Sequence, residues 1–147
     1  MIPQKGSHDI KPDPSNPVKH GEYLVTAAVC GECHTPMGDR GQPDEKKRFA
    51  GGLEFELPTG GVVRSTNITP ALETGIGSWS EEAFVARFKA YDNPGMQHVK
   101  VTENSFNSEM PWLQYAQMKK EDLRAIYAYL QSLEPIENEV ETFTASN

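Results

Sequence analysis

Cys30-Gly31-Glu32-Cys33-His34 decides the reading, and it holds both cysteines of the chain. Cys-x-x-Cys-His is the attachment pattern of c-type haem, and the chemistry explains the spacing. Two thiols add to the two vinyl groups of one porphyrin as thioethers, and the adjacent His34 is carried under the iron as its proximal ligand. A structural zinc needs four ligands; beyond the motif only His8, His20 and His98 remain, none in the paired spacing of zinc sites. A thioredoxin-type dithiol follows a strand in a βαβ pattern, whereas this one ends a helical pattern in a chain with little strand signal. A simple disulfide is the remaining alternative.

Working outward, Asn16 and Pro17 form a cap and first turn, and Tyr23, Leu24, Ala27 and Ala28 give a helix to about Val29. Ser80 caps a second helix, with Glu81 and Glu82 at its positive end, Trp79 placed to staple onto Phe84, and bulk from Phe84, Phe88 and Tyr91. A third begins near Lys119 or Lys120 and carries Leu123, Ile126, Tyr127 and Leu130, with Leu133 continuing the stripe and Pro135 ending it. Lys119 is a poor cap, so this helix relies on tertiary packing. The first and third helices are expected to cross where Gly21 lets the backbone approach Tyr127 or Tyr129.

Between the first two helices, Thr35 to Ser78 is punctuated by Gly and Pro, so any strand in it is short. A loop of that length argues against a compact fold unless it wraps something that supplies the missing core. A porphyrin would do so. The amino end has no apolar signal core and reads as a mature or trimmed start, extended over residues 1–16. Glu134, Glu137, Glu139 and Glu141 face no Lys or Arg after Arg124, which predicts a solvated acidic tail over 135–147. A haem domain over 17–134 lies between.

The 147 residues suit one domain, and no apolar run approaches the roughly 18 residues a bilayer requires. A net charge of -7 argues against nucleic acid and suits a basic protein partner. Lys46, Lys47 and Arg48 form the one basic triplet, read as a solvated loop.

The far face of the iron is either closed by a second side chain or left open, which separates a carrier from a haem peroxidase or small-gas sensor. Met37 is too near His34 to reach round the ring, and Met118 reads as core filler. Met110 is preferred because Pro111 fixes an extended approach before Trp112 and Tyr115. Met96 and His98, in a Gly/Pro-bounded loop, stay open. Haem propionates need donors, for which Arg64, Asn67 and Trp79 are candidates, against an exposed Arg64 and a merely stapling Trp79.

Taken in order, several runs carry a resemblance: Gly21-Glu22-Tyr23-Leu24 before the cysteine motif, Asn67-Ile68-Thr69-Pro70, Thr74-Gly75-Ile76-Gly77, Trp79-Ser80, Met110-Pro111-Trp112, Glu121-Asp122-Leu123 and Ala128-Tyr129-Leu130. From Gly21 to about Leu133 the chain resembles class I c-type cytochromes. More narrowly, it is similar to the single-haem cytochrome domains of bacterial dehydrogenase electron-transfer subunits. The resemblance implies an all-α fold of about three main helices with long loops round one covalent haem c, its iron held by His34 and Met110. It implies electron transfer outside the cytoplasm, in the periplasm, from a dehydrogenase donor to an oxidase or other acceptor, as a free carrier or a module of a larger complex. Family members often carry Pro shortly before the ligand Met, where this chain has Asn107-Ser108-Glu109.

Overall fold

In the computed structural model, which describes residues 12–95 and 100–146, the first helix begins where its cap signal lies. Helix α1 spans Pro17–Ala27; the Asn16 side-chain oxygen accepts from the Lys19 N–H at 3.1 Å, and Pro17 occupies the first turn, where a missing N–H is harmless. The helix stops at Ala27 rather than near Val29. Val29 turns left-handed (φ 52°) with its N–H on the Thr26 carbonyl, and the chain restarts as a separate turn, α2 (Cys30–His34). Apolar spacing reports side chains, and a one-residue reversal of the backbone leaves no mark on it. Met96, His98 and the expected extended segment as far as residue 11 lie outside the described residues.

Helix α3 (Glu81–Lys89) starts at Ser80, whose hydroxyl accepts from the Ala83 N–H at 3.1 Å. After the short α4 (Trp112–Tyr115), helix α5 (Lys120–Gln131) begins with no side-chain cap, and Glu121 and Asp122 sit in its first turn. It ends at Gln131, so Leu133 packs from the following turn rather than from the helix. The core joins Val25 of α1, Phe84, Val85 and Phe88 of α3, and Leu123, Ile126 and Leu130 of α5 with Phe49 and Ile76 from the loops. Each such side chain contributes about 2 kcal/mol when removed from water. Phe84 meets Phe88 and Tyr127 at ring separations of 5.1 and 5.5 Å, while Trp79 stays 38% exposed and engages Tyr127 through its carbonyl, which accepts from the phenol at 2.7 Å. The expected ring pair between Trp79 and Phe84 is not among the described aromatic contacts.

The α1–α5 crossing is set by Gly21. A Cβ there would run into the Ala125 carbonyl and stand 2.8 Å from Tyr129 Cβ, so the backbones touch at Ala125 and Tyr129 while Tyr127 faces α3. His20 Nε2 and Asp122 Oδ1 meet at 2.9 Å beside the contact.

The 35–78 loop holds two strands of three residues, β1 (Glu54–Glu56) and β2 (Val62–Arg64), paired antiparallel. The carboxyl-terminal segment corrects the expectation of a solvated tail. Its last strand, β3 (Phe143–Thr144), pairs with β2, so the sheet runs β1-β2-β3. Upstream, the Ile136 carbonyl accepts from Asn67 Nδ2 at 2.7 Å, Asn138 Nδ2 donates to the Ala50 carbonyl at 2.9 Å, and the Thr74 hydroxyl donates to Glu137 at 2.9 Å. The reason lies in a period of two: Ile136, Asn138 and Val140 turn inward while Glu137, Glu139 and Glu141 face water. A count of charge registers the outward half alone. Three long helices, with two short ones and a small sheet among the described residues, match the predominantly helical fold expected.

Gly21→Ala is expected to destabilise the protein by about 3 kcal/mol in urea unfolding, because neither the Ala125 carbonyl nor the Tyr129 stem can yield. A wild-type midpoint would refute the crossing.

Candidate functional site

Helix α2 is one turn long, which brings Cys30 and His34 to the same face at i and i+4, with Cys33 one step round. Both thiols are free; Cys30 is half-buried and Cys33 exposed. Burial, helped by the neighbouring Cys33, pushes the Cys30 thiol up to about 11, so it stays protonated at neutral pH. Gly31 lies close under a neighbour: a Cβ would stand 2.7 Å from the Arg48 guanidinium, which would have to move aside, and 3.3 Å from the Phe49 ring. Arg48 thus lies across α2, 5.0 Å from the Phe49 ring and paired with Glu45 at 3.2 Å, while Lys46 and Lys47 are exposed as expected.

His34 is buried, and its Nδ1 lies 2.7 Å from the Thr66 carbonyl oxygen. A carbonyl only accepts, so Nδ1 carries the proton and Nε2 keeps a lone pair, to which no hydrogen bond runs among the described residues. Burial holds the imidazole pKa below its ordinary value, against the opposing pull of the Thr66 bond, and the ring is neutral at pH 7. This is the state a metal-binding histidine requires. Gly51 makes it possible. Its N–H donates to the His34 carbonyl at 2.7 Å, its φ is 75°, and a Cβ there would lie 2.6 Å from Asn67 N and Ser65 O, so only glycine lets residues 65–67 pass close enough to present Thr66.

Met110 is half-buried and packs against the same core cluster as Cys30. Its N–H donates to the Ser108 hydroxyl at 3.2 Å. From the end of α4, the Tyr115 hydroxyl donates to the Ala28 carbonyl at 2.8 Å, tying the Met110 segment to the approach of the cysteine turn. Burial, then the adjacent Cys30 and Cys33, raise the pKa of this phenol, which marks its closeness to both sulfurs. Met118 packs on the core and Met37 is exposed, bridged to Pro43.

Two thiols and one free imidazole nitrogen on a single turn, with a thioether packed on the same core, are a donor set that fits a covalent haem. Zinc lacks its ligands: among the described residues no three His, Cys, Asp or Glu side chains converge.

The three proposed propionate donors sit differently. Arg64 Nε pairs with Glu54 at 2.8 Å and its Nη1 reaches Thr144 Oγ1 at 2.9 Å and the Glu141 carbonyl at 3.2 Å, so it ties the three strands together. Asn67 donates to Ile136 O and Thr74 Oγ1 and accepts from both the N–H and the hydroxyl of Thr69. All four of its hydrogen-bonding positions are taken within the protein. The Trp79 ring nitrogen has no hydrogen bond among the described residues. Sequence reasoning missed Thr66, Gly51, Ser108 and Tyr115; only the Gly51-Gly52 pair carried a signal, of positive φ, since a backbone carbonyl has no residue signature.

Asn67→Ala takes the partner of the buried Thr69 N–H and one of the two donors on the Ile136 carbonyl, and is expected to cost about 2 kcal/mol in chemical denaturation. Val29→Gly relieves a β-branched residue at φ 52° whose side chain is exposed, and is expected to raise stability by about 1 kcal/mol in the same assay.

Residues 18–134 match the family Cytochrome c. The chain is 40% identical over 113 residues to the gluconate 2-dehydrogenase cytochrome c subunit of Pantoea cypripedii, covering 76% of this chain and 22% of that protein. It is 32% identical over 120 residues to the cytochrome c subunit of the quinone alcohol dehydrogenase of Gluconobacter oxydans (81% and 22%), and 36% identical over 121 residues to a diheme cytochrome c-type protein of Cereibacter sphaeroides (81% and 36%). The chain spans less than a quarter of the length of the two dehydrogenase subunits. With its cysteine turn, its neutral buried histidine and the match over most of its length, the chain belongs to the cytochrome c family.

Proposed function

We propose that the chain is a single-haem electron carrier in which Cys30 and Cys33 tether one haem c and His34 Nε2 and Met110 Sδ take the two axial positions of its iron. The observation that carries the reading is the buried His34 imidazole, held neutral and oriented by the Thr66 carbonyl beside two free thiols. When bound, the haem supplies a one-electron couple, its iron alternating between ferric and ferrous. The protein's part is positioning and exclusion of water. The Thr66 bond fixes the histidine tautomer and raises its basicity, the Phe49, Ile76 and Leu123 cluster gives an apolar wall, and α4 holds the Met110 segment against the cysteine turn through Tyr115. Two fixed axial side chains leave little to rearrange on electron gain or loss, which suits a carrier. Trp79 is proposed as a propionate donor, with Arg64 and Asn67 acting beside it by shaping the loop.

The relatives' names favour a second level of the reading, in which the electrons come from a dehydrogenase donor, with the chain a module or a partner of such a complex; an oxidase or another redox protein is proposed as the acceptor. A periplasmic setting is part of the proposal and rests on the chemistry of covalent haem attachment. Among the described residues no helix is long and apolar enough to cross a membrane. The acidic surface suits a basic docking partner.

The test is an intact mass with spectra of both redox states. The mass is expected to exceed the polypeptide by one haem, and the ferric spectrum to be low-spin with a sulfur-to-iron charge-transfer band that Met110→Ala abolishes. A colourless protein of polypeptide mass would refute the reading; a high-spin spectrum would favour an open-site peroxidase or gas sensor, and a band surviving Met110→Ala would move the ligand to Met96.

A further inference from the structure

No proline stands among Asn107-Ser108-Glu109 ahead of Met110, and the segment is held instead through one hydroxyl. Ser108 Oγ accepts two hydrogen bonds, from the Met110 backbone N–H and from the Trp112 ring Nε1–H, each at 3.2 Å. A hydroxyl oxygen has two lone pairs, and both are used. The Trp112 backbone N–H donates to the Met110 carbonyl at 2.7 Å, closing a tight turn round Pro111. The indole is itself fixed from α3 and the turn after it. It stacks on Tyr91 with centroids 4.9 Å apart and planes 9° off parallel, Phe88 packs at 5.3 Å, and the Arg87 guanidinium lies 4.6 Å from its centroid. Arg87 is also 5.5 Å from the Tyr91 ring, so one cation serves both aromatic faces.

We infer that Ser108 is a positioning residue for Met110, clamping the ligand segment to the Tyr91–Trp112 stack and so setting how firmly the thioether is presented to the iron. The inference rests on the axial role proposed above for Met110. A proline stiffens a loop by removing freedom from the unfolded and unligated states alike. Here the same stiffening comes from one oxygen shared by a backbone and an indole donor: losing the oxygen removes both bonds, and losing the indole N–H removes one. Because Ser108 does not touch the iron, its effect appears in the strength of ligation rather than in whether a ligand exists.

The experiment uses the oxidised holoprotein and imidazole as the competing ligand, following loss of the sulfur-to-iron band. Ser108→Ala is expected to bind imidazole about tenfold more tightly than wild type, the weight of one or two net hydrogen bonds. Ser108→Thr keeps the hydroxyl and is expected to behave as wild type. Trp112→Phe keeps the stack without the N–H and is expected to give part of the effect, and the Ser108→Ala/Trp112→Phe double variant to match Ser108→Ala alone, since both donors meet on one oxygen. Imidazole affinity in Ser108→Ala equal to wild type, or additive effects in the double variant, would overturn the clamp while leaving Met110 as ligand. A wild-type protein without the band would overturn the axial reading itself, and the clamp with it.

Discussion

The buried hydrogen bond from His34 Nδ1 to the Thr66 carbonyl joins the cysteine turn to the long loop, and most of the architecture is arranged to make it. Gly51 opens the close passage of two loop segments, and its N–H in turn holds the His34 carbonyl, so the histidine is gripped through both ring and backbone. Asn67, next to Thr66, spends every donor and acceptor on its own loop and on Ile136. The neighbours of His34 are thereby tied down by the protein itself, which is how a chain orients an imidazole without depending on a metal to do so.

This arrangement explains why so long a loop is tolerated. Thr35 to Ser78 forms only short strands and turns, yet it sends Phe49 and Ile76 into the helical core and hands its polar backbone to partners. The carboxyl-terminal segment completes that accounting. It lays an extended chain along the loop, so that Ala50, Asn67, Thr69 and Thr74 bond to residues more than sixty positions away, and β3 covers one edge of β2. A segment rich in glutamate acts as a strap because its backbone and alternate side chains do most of the binding while its carboxylates stay on the exposed face, from which Glu137 accepts from Thr74.

Left-handed backbone at Val29 has a comparable role. By ending α1 and starting α2 in a new direction, it turns the cysteines away from the first helix axis, and Tyr115 secures the bend through the carbonyl of Ala28. A β-branched residue in this conformation is strained by roughly 1–2 kcal/mol, and the surrounding bonds hold it there.

Side-chain chemistry with a fixed spacing was legible in the residues alone: the Cys30-Cys33-His34 triad, the Asn16 and Ser80 caps, the α5 stripe and the need for Gly21 where helices meet. These are local patterns, and each names its partner by residue type or periodicity. Tertiary structure decided what depends on backbone groups, which carry no residue signature: the Thr66 carbonyl on His34, the reversal at Val29 and the docking of the tail. It also decided which protein groups Arg64 and Asn67 bond, because a long-range hydrogen bond is chosen by proximity in space. The alternation of Ile136, Asn138 and Val140 was visible in principle, but net charge masked it, and only pairing with β2 and the loop shows which half of the pattern faces inward.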